Sequence, residues 1–398
     1  MSKQKITHFF RFPRVKIREI SVSDDRTVTM VKLEPDRRFL PVCSGCKKRV
    51  RKVHSYEVRA IRDLPMSESM VVINLRYRNV RCPDCGIRVE HHDFVAPYAR
   101  YTHRLARFVF KLCEEMTLSK VSELLHLSWD QVKTIDKSEL RNRYENIDLS
   151  ELRILTIDEI SFRKHHKYLT VIANFETGAV IGVVENRDYD ALANFLKTLP
   201  LEVRDNIEAV AIDMWDPYIK AIEEYLPQAA IVFDFFHVTA AFGRLIDKIR
   251  NEEFRRADPA MKKLMKRARY ILLKNAQNLK REERPKLKQI LKNNERLATV
   301  YLLKDYLKRL WQYRSQAWAL KFLHYWCQLA RDSGIKALQT FCKTLTRYCY
   351  GIINHCKYPI HTGKLEGINN KIKVIKRKAY GYNDLEYFAL KIMHATSS

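Results

Sequence analysis

Four cysteines at one spacing, Cys43-x-x-Cys46 and Cys82-x-x-Cys85, have the residue type and pattern to hold a metal ion. Each pair forms a tight turn that points two thiolates at one centre, and a tetrahedral Zn²⁺ takes two such turns facing each other. Four thiolates leave no open coordination position, so the expected role is structural. The stretch between the pairs reads as a β-hairpin that brings the chain back to its start, and Gly86 permits the turn after the second pair. His54, His91 and His92 are read as surface or supporting residues rather than ligands. The other five cysteines are scattered through helical-looking sequence. That usage suits a reducing compartment and one metal site, not a disulfide framework.

A second set is acidic. "ILTIDEISFRKHHKYLTVIANF" (154–175) reads as an apolar strand ending on Asp158 and Glu159, followed by a basic turn and another apolar strand. "EAVAIDMW" (208–215) ends a further strand on Asp213. If these strands are neighbours, the aspartates lie together at one edge of a sheet. Adjacent like charges raise each other's pKa unless a cation sits between them, and Mg²⁺ is the usual hard-oxygen solution. A late helix offers a third carboxylate. In "HTGKLEGINNKIKVIKRKAYGY" (361–382), Leu365, Ile368, Ile372 and Ile375 form an apolar stripe, and Glu366 sits off it in the first turns. A lone acid in a basic stretch is ordinarily a salt-bridge partner. Its combination with two strand-end aspartates moves the reading toward metal.

The elements that must position these groups follow from periodicity. Strand blocks fall at 152–158, 168–175, 179–185, 208–213 and 229–234, with helices at 188–200 and 216–227. Three strands, a helix, a strand, a helix and a strand is the order of an RNase H-like fold, in which the first and fourth strands lie side by side. From 238 to about 350 the sequence is helical and rich in Lys, Arg, Tyr, Trp and Leu; the tail, 361–394, is helical and very basic. Upstream, 15–34 reads as a β-hairpin, with further strands near 53–61 and 70–80.

"TLSKVSELLHLSWDQVKTIDKSEL" (117–140) has the form of a helix-turn-helix, with Val121, Leu124 and Leu125 on one apolar face. Ser128 with Gln131 makes a capping box that starts the second helix. Val132 and Ile135 pack that helix inward, leaving Asp130, Gln131, Lys133, Thr134 and Lys137 outward, where a recognition helix meets a major groove. An ordinary αα-hairpin is the plainer reading; the basic surroundings favour the DNA-reading one.

Composition agrees. Among 398 residues, 73 Lys+Arg against 46 Asp+Glu give a net charge of +27, which points to a polyanion partner. Hydrophobic content of 46% and aromatic content of 11% argue for a folded chain of two or three domains. No apolar run reaches transmembrane length, and the first residues lack a signal-type apolar core. The expectation is a cytoplasmic, nucleoid-associated protein with no membrane role.

"IDE" (157–159), "FRKHHKY" (162–168), "AIDMW" (211–215), "FDFFHV" (233–238) and "LEGINNKIKVIKRKAYGY" (365–382), preceded by the paired C-x-x-C module, resemble the ISL-three family of bacterial insertion-sequence transposases. The resemblance covers essentially the whole chain and is specific as a set of motifs. It implies a DDE enzyme with Asp158, Asp213 and Glu366 as its triad. The more than 150 positions between Asp213 and Glu366 then imply a helical insertion within the catalytic fold. "FDFFHV" looks like a D-x-x-H element, so Asp234 and His237 assist near the site or are a strand end and a helix cap; both readings stand. Two Mg²⁺ (or Mn²⁺) ions bridged by Asp158 would serve cleavage of element ends and their joining to target DNA. Lys164, His166, Lys371, Lys373 and Lys376 flank the triad as candidate phosphate contacts, though solvation is the plainer reading of each. Glu159 is read as a neighbour that shapes the strand end.

The expected organisation is a β-hairpin and zinc-ribbon module at 1–98, a helix-turn-helix at 99–148, the first part of the core at 149–238, an α-helical insertion at 239–352 and closing helices at 353–398. The implied partners are double-stranded DNA, as terminal inverted repeats and target, and further copies of the chain in a homodimer or higher oligomer. Two rival readings are a non-catalytic, domesticated DNA-binding regulator and a metal-dependent DNA nuclease without strand joining.

Overall fold

Apolar and polar residues alternate along the strands of the N-terminal region, and burial follows the same period. The computed structural model describes residues 9–163, 167–360, 363–379 and 381–397, and divides after Asn146 into two units. The first unit contains β1 (Val15–Val22), β2 (Val28–Pro35), β3 (Val53–Arg62), β4 (Met70–Cys82) and β5 (Gly86–Val89), in the order β1-β2-β4-β3 with β5 on β4. Val31, Leu33, Ile61, Ile73 and Leu75 form its core. The β3–β4 hairpin carries the chain from the first cysteine pair to the second, as the sequence implied.

Three helices follow: α1 (His103–Glu115), α2 (Leu118–Leu125) and α3 (Trp129–Tyr144). Thr102, Thr117 and Ser128 cap them, and the Ser128–Gln131 capping box is complete in both directions. Val121, Leu125, Val132 and Ile135 pack together. Leu124, expected on the same face, is instead 52% exposed. On a two-turn helix the i, i+4 pair Val121 and Leu125 fills the buried stripe, and Leu124 falls to its solvent side. Arg62 ties the helices to the sheet by donating to the Leu125 and His126 carbonyls at 2.9 and 3.1 Å.

The second unit opens with β6 (Ile154–Arg163), β7 (Lys167–Asn174) and β8 (Val180–Glu185), an antiparallel meander. Then come α4 (Tyr189–Thr198), the short α5 (Leu201–Asp205), β9 (Ala209–Ile212), α6 (Asp216–Tyr225) and β10 (Ala230–Phe233). The sheet order is β10-β9-β6-β7-β8, with β9 parallel to β6 and β10 parallel to β9. The first and fourth strands of the unit are therefore neighbours. Alternation sends Leu155 and Ile157 into a core shared with α4 and α6, and sends Thr156 and Asp158 to the opposite face. Gly182 lets α4 close on β8, since a Cβ there would stand 2.1 Å from the Phe195 ring.

A strand boundary also differs from expectation. β6 does not end at Asp158 but runs to Arg163, because its ladder with β7 continues to the Arg163–Lys167 pair. What ends early is its pairing with β9, at Thr156–Ala211.

The helical stretch comprises α7 (Phe235–Arg256), α8 (Pro259–Met265), α9 (Arg269–Leu273), α10 (Glu283–Asn293), α11 (Glu295–Leu307), α12 (Gln316–Asp332), α13 (Lys336–Arg347) and α14 (Cys349–Ile353). Its first helix begins at Phe235 rather than near 238. Phe242, Leu323, Trp326 and Leu338 belong to one continuous core with the sheet residues. Gly351 brings α14 onto β10, where a Cβ would meet the Phe233 ring at 2.4 Å. The chain closes with α15 (Gly363–Lys378), packed against β6, and α16 (Leu385–Thr396), packed against β8. The Val180 N–H donates to Thr396 Oγ1 at 3.0 Å. Among the described residues, no helix is long and apolar enough to cross a membrane.

Candidate active site and metal centre

The cysteine centre is built where β4 ends and β5 begins. Cys43 and Cys82 are buried with Val50 and Val80, while Cys46 and Cys85 are half-buried. All four sulfurs lie within 4.8 Å of one another, with Cys46 Sγ and Cys82 Sγ 3.5 Å apart. Each pair is followed by a left-handed residue, Lys47 (φ 59°) and Gly86 (φ 72°), so both turns fold back alike. Burial opposes ionisation of Cys43, but the Cys46 and Gly45 N–H groups hold its thiol down to about 7. Hydrogen bonding with Cys46, then burial, pushes Cys85 up to about 12. Soft thiolates converging at this spacing fit Zn²⁺. Among the described residues, no other group of three or more His, Cys, Asp or Glu brings its donor atoms so close. His54 is exposed, and His91 lies beside Lys47 and Asp93. Burial pushes His92 down to about 4.

The acidic site lies where β6 outruns β9. Asp213 is the first residue beyond β9, and Asp158 sits two positions past the last β6–β9 pair. Asp158 and Asp213 line one small cavity together with Asp234, His237 and Ile360. His237 Nε2 stands 2.5 Å from Asp213 Oδ1. Burial works against the imidazolium, but that contact outweighs it and the pKa is raised. Asp234 caps α7, its Oδ1 accepting from Phe236 N at 2.9 Å, and burial raises its carboxyl. Asp234 is thus a helix cap, and both it and His237 also face the aspartates.

Asp158 is held from two sides. Its Oδ1 accepts from Glu159 N at 2.7 Å, and its Oδ2 accepts from Asn369 Nδ2 at 2.6 Å. Asn369 lies on α15 one turn after Glu366, and residues three apart on a helix share a side. Glu366 is exposed, one turn from the residue that touches Asp158, and is not in the cavity wall. These carboxylates are hard oxygen donors of the kind that could hold a divalent cation. The sequence reading missed Asn369, although the i, i+3 relation to Glu366 was available.

Glu159 points the other way. It accepts from Arg187 Nη1 at 2.8 Å, and the Arg187 guanidinium lies over the rings of Trp215 (4.2 Å) and Tyr168 (5.0 Å). Trp215 Nε1 donates to the Arg187 carbonyl at 3.0 Å. This bracket fixes the segment just after Asp213, and neither Arg187 nor Trp215 was singled out from the sequence. Burial raises the Glu159 pKa, and Arg187 opposes the shift.

Among the DNA candidates, Gln131 spends its side-chain oxygen on the Ser128 N–H (2.9 Å), which ties it into the cap. Asp130 and Thr134 are exposed, Lys137 is half-buried, and half-buried Lys133 lies 5.7 Å over the Trp129 ring. Lys371 donates to the Ala395 carbonyl at 3.2 Å, Lys373 is exposed and Lys376 is half-buried. Lys164 and His166 lie outside the described residues.

Comparison with known proteins agrees with this architecture. A transposase family model of the ISL3 type matches residues 155–392. A model for the helix-turn-helix domain of transposase family ISL3 matches 90–139, and one for the zinc-finger of transposase IS204/IS1001/IS1096/IS1165 matches 40–85. The chain is 40% identical over 367 residues to the transposase for insertion sequence element IS1001 of Bordetella parapertussis, covering 91% of this chain and 90% of that one. It is 25% identical over 386 residues to the transposase for insertion sequence element IS1557 of Mycobacterium tuberculosis, covering 90% and 86%. With a zinc ribbon, a helix-turn-helix and a catalytic-family region all matched in order, the chain belongs to the ISL3, or ISL-three, family of insertion-sequence transposases.

Proposed function

We propose that this transposase cuts the ends of its element and joins them to target DNA at a site formed by Asp158, Asp213 and Glu366. The observation that carries the reading is that Asp158, on β6, and Asp213, just past the end of the neighbouring β9, line one cavity, and that α15 reaches Asp158 through Asn369. Three antiparallel strands followed by two parallel ones, in the order β10-β9-β6-β7-β8, support an RNase H-like core. The helices from α7 to α14 then form its insertion, between the second aspartate and the glutamate.

Mg²⁺ or Mn²⁺, as two ions held by the three carboxylates, would activate the attacking water or 3′-hydroxyl and stabilise the leaving oxygen. The chain's own part is to hold the ligands. Asn369 fixes the rotation of Asp158, and the Arg187–Trp215 bracket fixes the segment that carries Asp213. His237 keeps a proton at Nε2 against Asp213 and offsets part of the negative charge there. Asp234 orients the first turn of α7, which carries His237.

Sequence preference is assigned to residues 1–98 and 99–148, with Thr134, Lys133 and Lys137 facing the groove. The block 239–352 grips the backbone: 251–290 carries 13 Lys+Arg against 5 Asp+Glu. Lys164, His166, Lys371, Lys373 and Lys376 are assigned to phosphates near the cut, with 149–238 and 353–398 forming the core. The partners are terminal inverted repeats, target DNA and a second copy of the chain, in the cytoplasm at the nucleoid. The test is a cleavage and joining assay on element-end DNA, with and without Mg²⁺. Cutting followed by joining supports the reading; cutting without joining makes the protein a nuclease, and binding without either makes it a regulator.

A further inference from the structure

Between α7, α9 and α11 lies a cavity of about 590 Å³, within the roughly 300–1,000 Å³ of ligand pockets. Phe235 and Phe236 stand at its edge, 38% and 60% exposed on the first turn of α7. Large rings left in solvent on adjacent residues suit a flat partner that can stack on them. Beyond a largely apolar and small-residue lining, the wall carries four cations, Arg244, Arg269, Lys304 and Lys308, against one carboxylate, Asp247, and Lys308 is also paired with Asp305 at 2.7 Å. That carboxylate is already held by Arg250 at 2.9 Å and Arg269 at 3.3 Å. Arg244 is exposed and makes no ion pair among the described residues. Lys304 is buried, its Nζ donating to the Leu272 and Lys274 carbonyls at 2.9 and 2.6 Å; burial pushes its pKa down to about 8, so the phosphate contacts are assigned to the other cations. Aromatic platforms beside clustered cations are what an unpaired nucleotide requires, a ring for its base and charge for its phosphates.

The cavity is joined to the carboxylate site through one turn of helix. Asp234 and His237 face the aspartates, and Phe235 and Phe236, between them in sequence, face the cavity. The Phe236 and His237 ring centroids stand 5.8 Å apart, and His237 contacts Asp213. A nucleotide lodged on Phe236 would therefore lie one residue along the helix from His237, which contacts Asp213.

We infer that this cavity accepts an unpaired nucleotide of the DNA strand being processed, its base stacked on Phe236 and its phosphates among Arg244, Arg269 and Lys308. The inference rests on the strand-cleavage reading above. Drawing a base out of a duplex costs unstacking energy, least where the base is already unpaired. The cavity offsets that cost next to the aspartates and holds the element end open.

The test uses the full-length protein and element-end duplexes carrying 2-aminopurine at single positions around the cleavage point. Binding is read by fluorescence without divalent ion, and cleavage is read separately in Mg²⁺. One position should respond to the wild-type protein, and Phe236→Ala and Arg244→Ala should lose that response. Both variants should cut fully paired ends on the order of tenfold more slowly. They should cut ends mismatched at the responding position at close to the wild-type rate, and Phe236→Trp should behave as wild type. The inference is overturned if no position responds, or if Phe236→Ala slows paired and mismatched ends alike. It is also overturned if free deoxyadenosine monophosphate binds Phe236-dependently while DNA does not. A wild-type protein that cuts no DNA would defeat the cleavage reading, while the fluorescence result would still decide the cavity.

Discussion

His237 Nε2 lies 2.5 Å from Asp213 Oδ1, so one carboxylate of the proposed triad has a titratable counter-charge of its own. The contact raises the imidazole pKa above its ordinary 6.5, even though burial pulls the other way. A raised histidine pKa contributes to folding fully below about pH 6.5, the unfolded-chain value, and that contribution fades as pH rises through the folded value. Followed by NMR, His237 should titrate above 6.5 and should fall back in Asp213→Asn. Added Mg²⁺ competes with the imidazolium for the same carboxylate and should also lower it. A His237 that titrates identically in Asp213→Asn would mean that the shift has another cause.

The triad itself predicts a split between cutting and binding. Asp158→Asn, Asp213→Asn and Glu366→Gln keep shape and remove the charge that, on the proposed reading, would hold a cation. Each should reduce cleavage and joining by on the order of 1,000-fold or more, with DNA affinity unchanged or slightly tighter. Glu159→Gln is the internal control. It faces away from Asp158 and should keep most of the activity, while lowering stability by about 1 kcal/mol through the loss of its partly exposed pair with Arg187. A dead Glu159→Gln beside an active Asp158→Asn would show that the wrong carboxylate had been chosen.

Asn369 is predicted to act through Asp158. Asn369→Ala frees the carboxylate to rotate and should lower kcat roughly tenfold with little change in KM, since the lost contact orients a ligand rather than the DNA. Asn369→Asp sets a second negative charge against Asp158, which raises the pKa of the pair. The acid limb of the pH–rate profile should then move to higher pH. A uniform loss of soluble protein in both variants, with no change in profile, would make Asn369 merely structural.

The cysteine centre should be separable from the catalytic sheet. Purified protein should hold one equivalent of zinc, and chelation or Cys46→Ser should expose the remaining thiols and loosen residues 40–90. The second unit has its own core, so its melting transition should stay in place. Element-end discrimination should weaken, while non-specific, salt-sensitive binding persists. Less than one equivalent of zinc with four freely reactive thiols would refute the assignment.

Local chemistry was legible in the sequence. Two cysteine pairs at one spacing, the Ser128–Gln131 box and the alternating strands all depend on residues close in sequence, and each appears where the spacing put it. Asp213 was found because β9 stops just before it. The length of β6 was not legible: the two acids interrupted its apolar run, yet the ladder with β7 carries the strand through them. Leu124 was misplaced because a short helix buries a narrower stripe than a long one. Arg187 and Trp215 escaped notice because nothing near them in the chain hints at their partners, and Asn369 because its i, i+3 relation to Glu366 was not followed. Only the folded sheet brings Arg187 to Glu159 and Asn369 to Asp158.

The hydrogen bond between Asn369 and Asp158 joins residues 211 positions apart, and the one between Val180 and Thr396 spans 216. Contacts of such separation form late, because the chain entropy of closing the loop must be overcome before they return any energy. The zinc ribbon and the three-helix module, by contrast, close over short distances within their own unit. On the proposed reading, the carboxylate on α15 reaches the two aspartates only once these distant contacts close, while the helix-turn-helix needs none of them. The topology would then withhold the cutting site until the chain is nearly complete, the stage at which cutting is best controlled.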